Sequence, residues 1–189
     1  MLIFSQNLDN YGFPIPQDAI FRVNLAWVNS LKELEVILEK HRSHKIFLDL
    51  PANRAKPPNN KYDIDDLIPI IKSNQNVKYF AVSNIHSADD LKIYLDIIPK
   101  RVTIVPKIES VAGVTNVKQI TDALGINKIL MLDHDDLYSQ IIKAKQPTSK
   151  FLECFNNLVD YCNNHNVILL RTIGVVFSEQ EKRITDYVG

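Results

Sequence analysis

The sequence is poor in most of the features that announce a function. It has only five glycines among 189 residues, and none forms the G-x-G-x-x-G or Walker loop that would cradle phosphates. It has two cysteines, Cys154 and Cys162, on one expected helix. Their spacing places them about 12 Å apart along the helix axis, too far for a bridge. That points to a reduced, cytoplasmic protein without a metal–cysteine site. Neither sign of charge is in excess: lysine plus arginine and aspartate plus glutamate number 22 each, for a formal net charge of zero. No basic stripe marks nucleic acid as a partner. No apolar run approaches a membrane span, and the amino terminus lacks a charged leader region and small-residue cleavage site. Trp27 and the phenylalanines and tyrosines form no stacking pattern for bases.

What is present is a regular alternation of short apolar runs and amphipathic stretches. Strands are expected at Leu2–Phe4, Ile20–Trp27, Lys45–Leu50, Val77–Ser83, Val102–Glu109, Lys128–Asp133 and Val167–Thr172, with Gly174–Phe177 extended. Helices are expected from Asn29 or Ser30 to about His41, from Asp63 to about Ser73, after a Ser87 cap, over Gly113–Leu124, partly over Asp135–Lys145, over Ser149–Asn164 and over Glu179–Tyr187. The Pro/Asn-rich segment Pro51–Lys61 reads as a loop. Such alternation means a parallel sheet with helical crossovers, in one domain over residues 1–189. The absent glycine fingerprint disfavours a nucleotide-binding doubly wound sheet. Polar residues at several strand ends favour a (β/α) barrel. The chain is short for one, since such barrels typically have about 250 residues. The shortage sits at the first and last strands, so a short or incomplete TIM-type barrel is expected, with sheet edges that favour a homo-oligomer.

The stretch Val102–Asn116, VTIVPKIESVAGVTN, is the most informative. Side chains alternate along a strand, so Lys107 and Glu109 share one face at the carboxyl end of an apolar strand. Parallel α/β folds place their chemistry there. A carboxylate can hold a hard divalent cation, and a neighbouring ammonium can stabilise an anion beside it. The same two residues could equally form a solvated pair, or an ion pair with each other. Arg22 and Asp49 can form a buried ion pair between adjacent strands. Asp133 and Asp135 read as accessory acids or solvated loop charges, and His134 as a base or a loop residue.

Several motifs together resemble the barrel domain of pyruvate kinases. Arg22-Val23-Asn24 resembles the Arg-x-Asn of the family's second strand, and Leu48-Asp49-Leu50-Pro51 resembles a piece of its third. Lys107-Ile108-Glu109 followed by Gly113-Val114-x-Asn116 resembles its Lys-Ile-Glu and Gly-Val-x-Asn. Met131–Leu137 resembles Met-Val-Ala-Arg-Gly-Asp-Leu, and Val167–Thr172 a late strand. The resemblance implies a pyruvate-kinase-like barrel in which Glu109 and Asp136 bind Mg²⁺ or Mn²⁺ and Lys107 stabilises charge at the reacting oxygen. It places Thr172 on the substrate side, Arg22 at a phosphate-binding position, and Asn24 and Asp49 at monovalent-cation ligands. Asp135 falls where the substrate carboxylate would be received.

The departures bear on activity. Neither a lid nor a regulatory domain is expected in these 189 residues, Ala26 replaces a serine, and Asp135 and Tyr138 replace glycines. Class II pyruvate aldolases and citrate-lyase-like enzymes share that barrel type without a lid, although Lys107 stands where those aldolases usually carry glutamine. The expectation is a divalent-metal-dependent enzyme that stabilises the enolate of pyruvate or another 2-oxo acid, most simply a carbon–carbon lyase. The alternatives are a phosphoenolpyruvate-using phosphotransferase and a non-catalytic barrel serving as a partner subunit.

Overall fold

The computed structural model describes residues 2–6, 12, 14–52 and 62–171. Seven strands, β1 (Ile3–Ser5), β2 (Ile20–Asn24), β3 (Lys45–Leu50), β4 (Val77–Val82), β5 (Thr103–Ile108), β6 (Ile129–Leu132) and β7 (Ile168–Arg171), form one sheet. The strands lie side by side in chain order, and every neighbouring pair is parallel. Seven α-helices accompany them: α1 (Leu31–Lys40), α2 (Ile64–Ser73), α3 (Lys92–Ile97), α4 (Val111–Thr115), α5 (Val117–Ala123), α6 (His134–Lys143) and α7 (Ser149–Asn164). Several helices start on a residue that satisfies an orphan backbone donor. Ser30 Oγ accepts from the Glu33 N–H at 3.1 Å. Ser110 Oγ accepts from the Gly113 N–H at 3.0 Å. Asp63 and Asp66 form a reciprocal capping box at α2.

The strand order decides where the helices go. Crossovers between parallel strands are right-handed, so an order that never reverses puts each helix on the same face. The packing agrees. Leu34, Leu67, Val114, Leu137 and Leu158 from the helices share one large core with Val23, Leu48, Phe80, Ile104 and Leu130 from the strands. The opposite face carries a separate small cluster made only of strand residues, Ile20, Phe47, Ala81, Val105, Ile129 and Met131. The result is a curled sheet clad on one side, in the manner of a half-barrel.

An incomplete α/β sheet with open edges is as expected; its TIM-type, pyruvate-kinase-like character is corrected. β1 and β7 are both edges among the described residues, so the sheet is open. Closing a barrel around a filled interior takes about eight strands, and the described chain supplies seven. Two helices also differ from expectation. Ser87 does not cap a long helix; a single 3₁₀ turn over Asp89–Leu91 leads into the short α3. The helix expected over Gly113–Leu124 begins earlier, at Val111, and is divided at Asn116, whose Nδ2 donates to the His86 carbonyl at 2.8 Å. The segments expected at Gly174–Phe177 and Glu179–Tyr187 lie outside the described residues, as does most of the 51–61 loop.

Candidate functional site

Polar residues replace apolar ones on the unclad face as the strands reach their carboxyl ends. Period-2 alternation carries Phe47 to Asp49, Ala81 to Ser83, Val105 to Lys107 and Met131 to Asp133. Lys107 is only 6% exposed and is ringed by partners. Its Nζ lies 2.9 Å from Glu109 Oε1, 3.6 Å from Asp49 Oδ1 and 3.7 Å from Asp133 Oδ2, and it donates to Ser83 Oγ at 3.1 Å. Arg22 closes the other side of Asp49 with a close Nη2 contact and an Nε–H bond of 3.1 Å to Oδ2. The charges alternate across the sheet from Arg22 through Asp49 and Lys107 to Glu109.

Beyond Lys107 the site is acidic. Glu109, Asp133 and Asp136 each offer a carboxylate oxygen within 4.8 Å of the others. Glu109 is fixed by the Asn84 backbone N–H, which donates to its Oε2 at 2.9 Å. Asn84 adopts φ +56°, a left-handed conformation that asparagine tolerates better than most residues. Asp133 caps α6 by accepting the Asp136 N–H at 3.2 Å, which brings those two side chains together. Two buried oxygens, Glu109 Oε1 and Asp49 Oδ1, make no well-formed hydrogen bond. Both face the Lys107 ammonium, which is ion-paired with Glu109 Oε1 at 2.9 Å and with Asp49 Oδ1 at 3.6 Å. Arg22 and Lys107 set two positive charges against four carboxylates (Asp49, Glu109, Asp133 and Asp136), leaving a formal −2 when all are ionised.

Protonation follows from this crowding. Burial pushes the Lys107 ammonium toward deprotonation, but Asp49, Glu109 and Asp133 outweigh it, and the group titrates above its ordinary range. Lys107 is therefore a fixed cation. Burial raises the Glu109 carboxyl above the usual carboxylate range, with Lys107 opposing. A buried carboxyl within 4.8 Å of two further carboxylates fits a hard cation that takes oxygen ligands.

The structure brings together Arg22, Asp49, Lys107, Glu109 and Asp136 from the residues singled out in the sequence. Asn24 lies beside Asp49 in the β2–β3 register, but its Oδ1 caps the next turn, accepting the Ala26 N–H at 3.0 Å. Asp135 is exposed on the first turn of α6 and does not join the carboxylates. Thr172 lies outside the described residues. His134 sits against the Phe151 and Phe155 rings, at centroid distances of 6.3 and 5.8 Å. Sequence reasoning underrated Asp133, although its period-2 relation to Ile129 and Met131 was visible, and missed Ser83 and Asn84. Beside Asp136 a cavity of about 670 Å³ opens between the loop after β4 and α6.

No protein-family model matches the chain, and no curated protein matches it in sequence. Solved structures do match in fold. RipC from Yersinia pestis superposes with a TM-score of 0.61 at 17% identity, over 85% of this chain and 72% of that one. At that identity the likeness speaks for the fold alone. Together with the open sheet, it overturns the resemblance to the pyruvate kinase barrel and to the aldolases and lyases grouped with it. The physical reason lies in the motifs themselves. A serine cap ahead of a glycine and an aspartate cap ahead of a leucine serve helix starts in any parallel α/β unit, and a charged pair can end a strand in unrelated ones. Gly113 shows this: a Cβ there would stand 2.7 Å from the Ile85 carbonyl oxygen, so glycine is demanded by close packing.

Proposed function

We propose that the protein is a divalent-metal-dependent enzyme acting on a small 2-oxo acid, with carbon–carbon bond cleavage or formation as its simplest reaction. The observation that carries this reading is the cluster of Glu109, Asp133 and Asp136 carboxylates, with the buried Glu109 oxygen paired to the Lys107 ammonium at 2.9 Å. Glu109 and Asp136 would hold Mg²⁺ or Mn²⁺, with Asp133 as a third oxygen donor. A cation so held supplies Lewis-acid charge that lowers the energy of a 2-oxo acid's enolate. Lys107 stays protonated and donates to the developing oxyanion. Asp49, itself clamped by Arg22, keeps the Lys107 side chain in place. Ser83 fixes a further proton of the ammonium.

Calorimetric titration with Mn²⁺, followed by oxalate or pyruvate, tests the reading. The expected result is metal binding, anion binding only after metal, and loss of both in Glu109→Gln. A wild-type protein that binds neither would overturn it and favour a partner-subunit role. Assembly belongs to the same reading. The β7 edge exposes half of Ile168 and has no partner strand among the described residues, which supports association between copies; the free, buried Cys154 and Cys162 support a reducing, cytoplasmic setting. A monomer by light scattering at micromolar concentration would count against association.

A further inference from the structure

The cavity beside Asp136 is far larger than the proposed ligand head needs. At about 670 Å³ it lies within the range of sites that enclose drug-sized ligands, and pyruvate would fill only a small part of it. One wall is a stripe on α6: Asp136, Ser139, Gln140 and Lys143 line it, at the i, i+3, i+4 and i+7 spacing of a single helix face. The adjoining face of α6, with Leu137 and Ile141, is buried in the core. Most charges around the cavity are already engaged. Lys92 pairs with Asp89 at 2.7 Å. Asp90 Oδ2 accepts the His86 and Ser87 N–H groups at 2.8 and 2.9 Å. Asp136 belongs to the carboxylate cluster. Lys143 is a lining cation that makes no ion pair with any described residue. Seven residues separate it from Asp136, about 10 Å along the helix.

We infer that this cavity receives the distal half of the substrate, and that this half ends in an anionic group, a carboxylate or a phosphate monoester, held by Lys143 with Gln140 beside it. The substrate class is thus a 2-oxo acid carrying a second anion about 10 Å from its metal-binding head. The inference rests on the metal reading above and deepens it. A split charge layout, carboxylates for a cation at one end and an ammonium for an anion at the other, would also orient the ligand.

The test uses the full chain loaded with Mn²⁺ and compares pyruvate, 2-oxopimelate and a 2-oxo acid of similar length ending in a phosphate monoester. At least one long acid is expected to bind about tenfold tighter than pyruvate, the gain of one charge-assisted hydrogen bond. Lys143→Gln should erase that gain, Lys143→Arg should keep it, and Mn²⁺ affinity, measured alongside, should stay as in the wild type. Whichever long acid binds tighter identifies the tail group. Equal binding of all three ligands, or a gain that survives Lys143→Gln, overturns this inference while leaving the metal site standing. A wild-type protein that fails to bind Mn²⁺ overturns the metal reading, and this inference falls with it.

Discussion

On β3, Leu48 points into a core shared with helices, whereas Asp49, one residue on, points to the face where Arg22 and Lys107 meet it. The two faces of this sheet come from the same strands, alternating residue by residue, yet they are held together by different physics. The clad face is built mainly of apolar residues such as Val23, Leu48, Phe80 and Leu130 and gains from removing hydrocarbon from water. The open face is apolar only at its lower level, around Phe47, Val105 and Met131, and turns into a charge network at the strand ends. Burial is nearly complete on both, at 0% exposure for Leu48 and 1% for Asp49. Depth alone therefore does not separate a structural position from a chemical one. The kind of neighbour does.

The sharpest way to break this comparison is to remove the charge at its centre. Lys107→Met leaves Asp49 and Glu109 buried without their shared cation and should cost about 3–5 kcal/mol by denaturant unfolding. Adding Glu109→Gln to that variant should recover part of the loss, because one uncompensated carboxylate is then gone. A loss of less than about 1 kcal/mol for the single variant would mean that water already screens the network. Hydrophobic truncations compare the faces directly. Leu48→Ala should fall in the range of about 2–5 kcal/mol, and Met131→Ala should stay near its lower end, about 2 kcal/mol, because no helix closes over the open face. Equal costs would show that something covers the open face in solution.

Gly113→Ala probes the seam between the faces, since the added methyl must push the Ile85 carbonyl. A cost of about 1–3 kcal/mol is expected, together with weaker Mn²⁺ binding, because the same loop carries the Asn84 N–H that fixes Glu109. The smallest effect concerns Cys162 in the clad core. Burial pushes its thiol up to about 11 from an ordinary value of 9.0. Alkylation at pH 8 should be slow in the native protein and fast after denaturation. The folded state holds this proton more tightly than the unfolded one, so its share of stability declines as pH rises from about 9 through about 11. Rapid native alkylation would show that α7 opens readily.

Much of the clad face was legible in the sequence, because both of its signals are local. β3 and α7 appear at the very residues that alternation and helical periodicity mark, Lys45–Leu50 and Ser149–Asn164. The Arg22–Asp49 and Lys107–Glu109 pairings were also within reach, since each needs only strand alternation and adjacency. An incomplete sheet was legible in the shortage of chain at the first and last strands, but the kinship of the fold was not, because strand-end charges and helix caps recur in unrelated parallel α/β units. Asp133 was underrated for a related reason. A cap aspartate and a cation ligand are the same residue type at the same helix start, and only its 3.7 Å approach to Lys107 and its place beside Glu109 and Asp136 tell them apart. The division between α4 and α5 depends on the long-range bond from Asn116 to His86.

The unbroken strand order also bears on how the chain is made. Each strand pairs with the one just before it, and no pairing spans more than 39 residues, the distance from Ile129 to Ile168. A chain leaving the ribosome can therefore dock each βα unit on the one already in place, without waiting for a distant segment. Arg22 and Asp49 can meet early, and Lys107 joins them when β5 emerges. The three-carboxylate cluster comes last, once Asp133 and Asp136 arrive. Synthesis thus assembles the scaffold of fixed charges before the groups that would grip a cation.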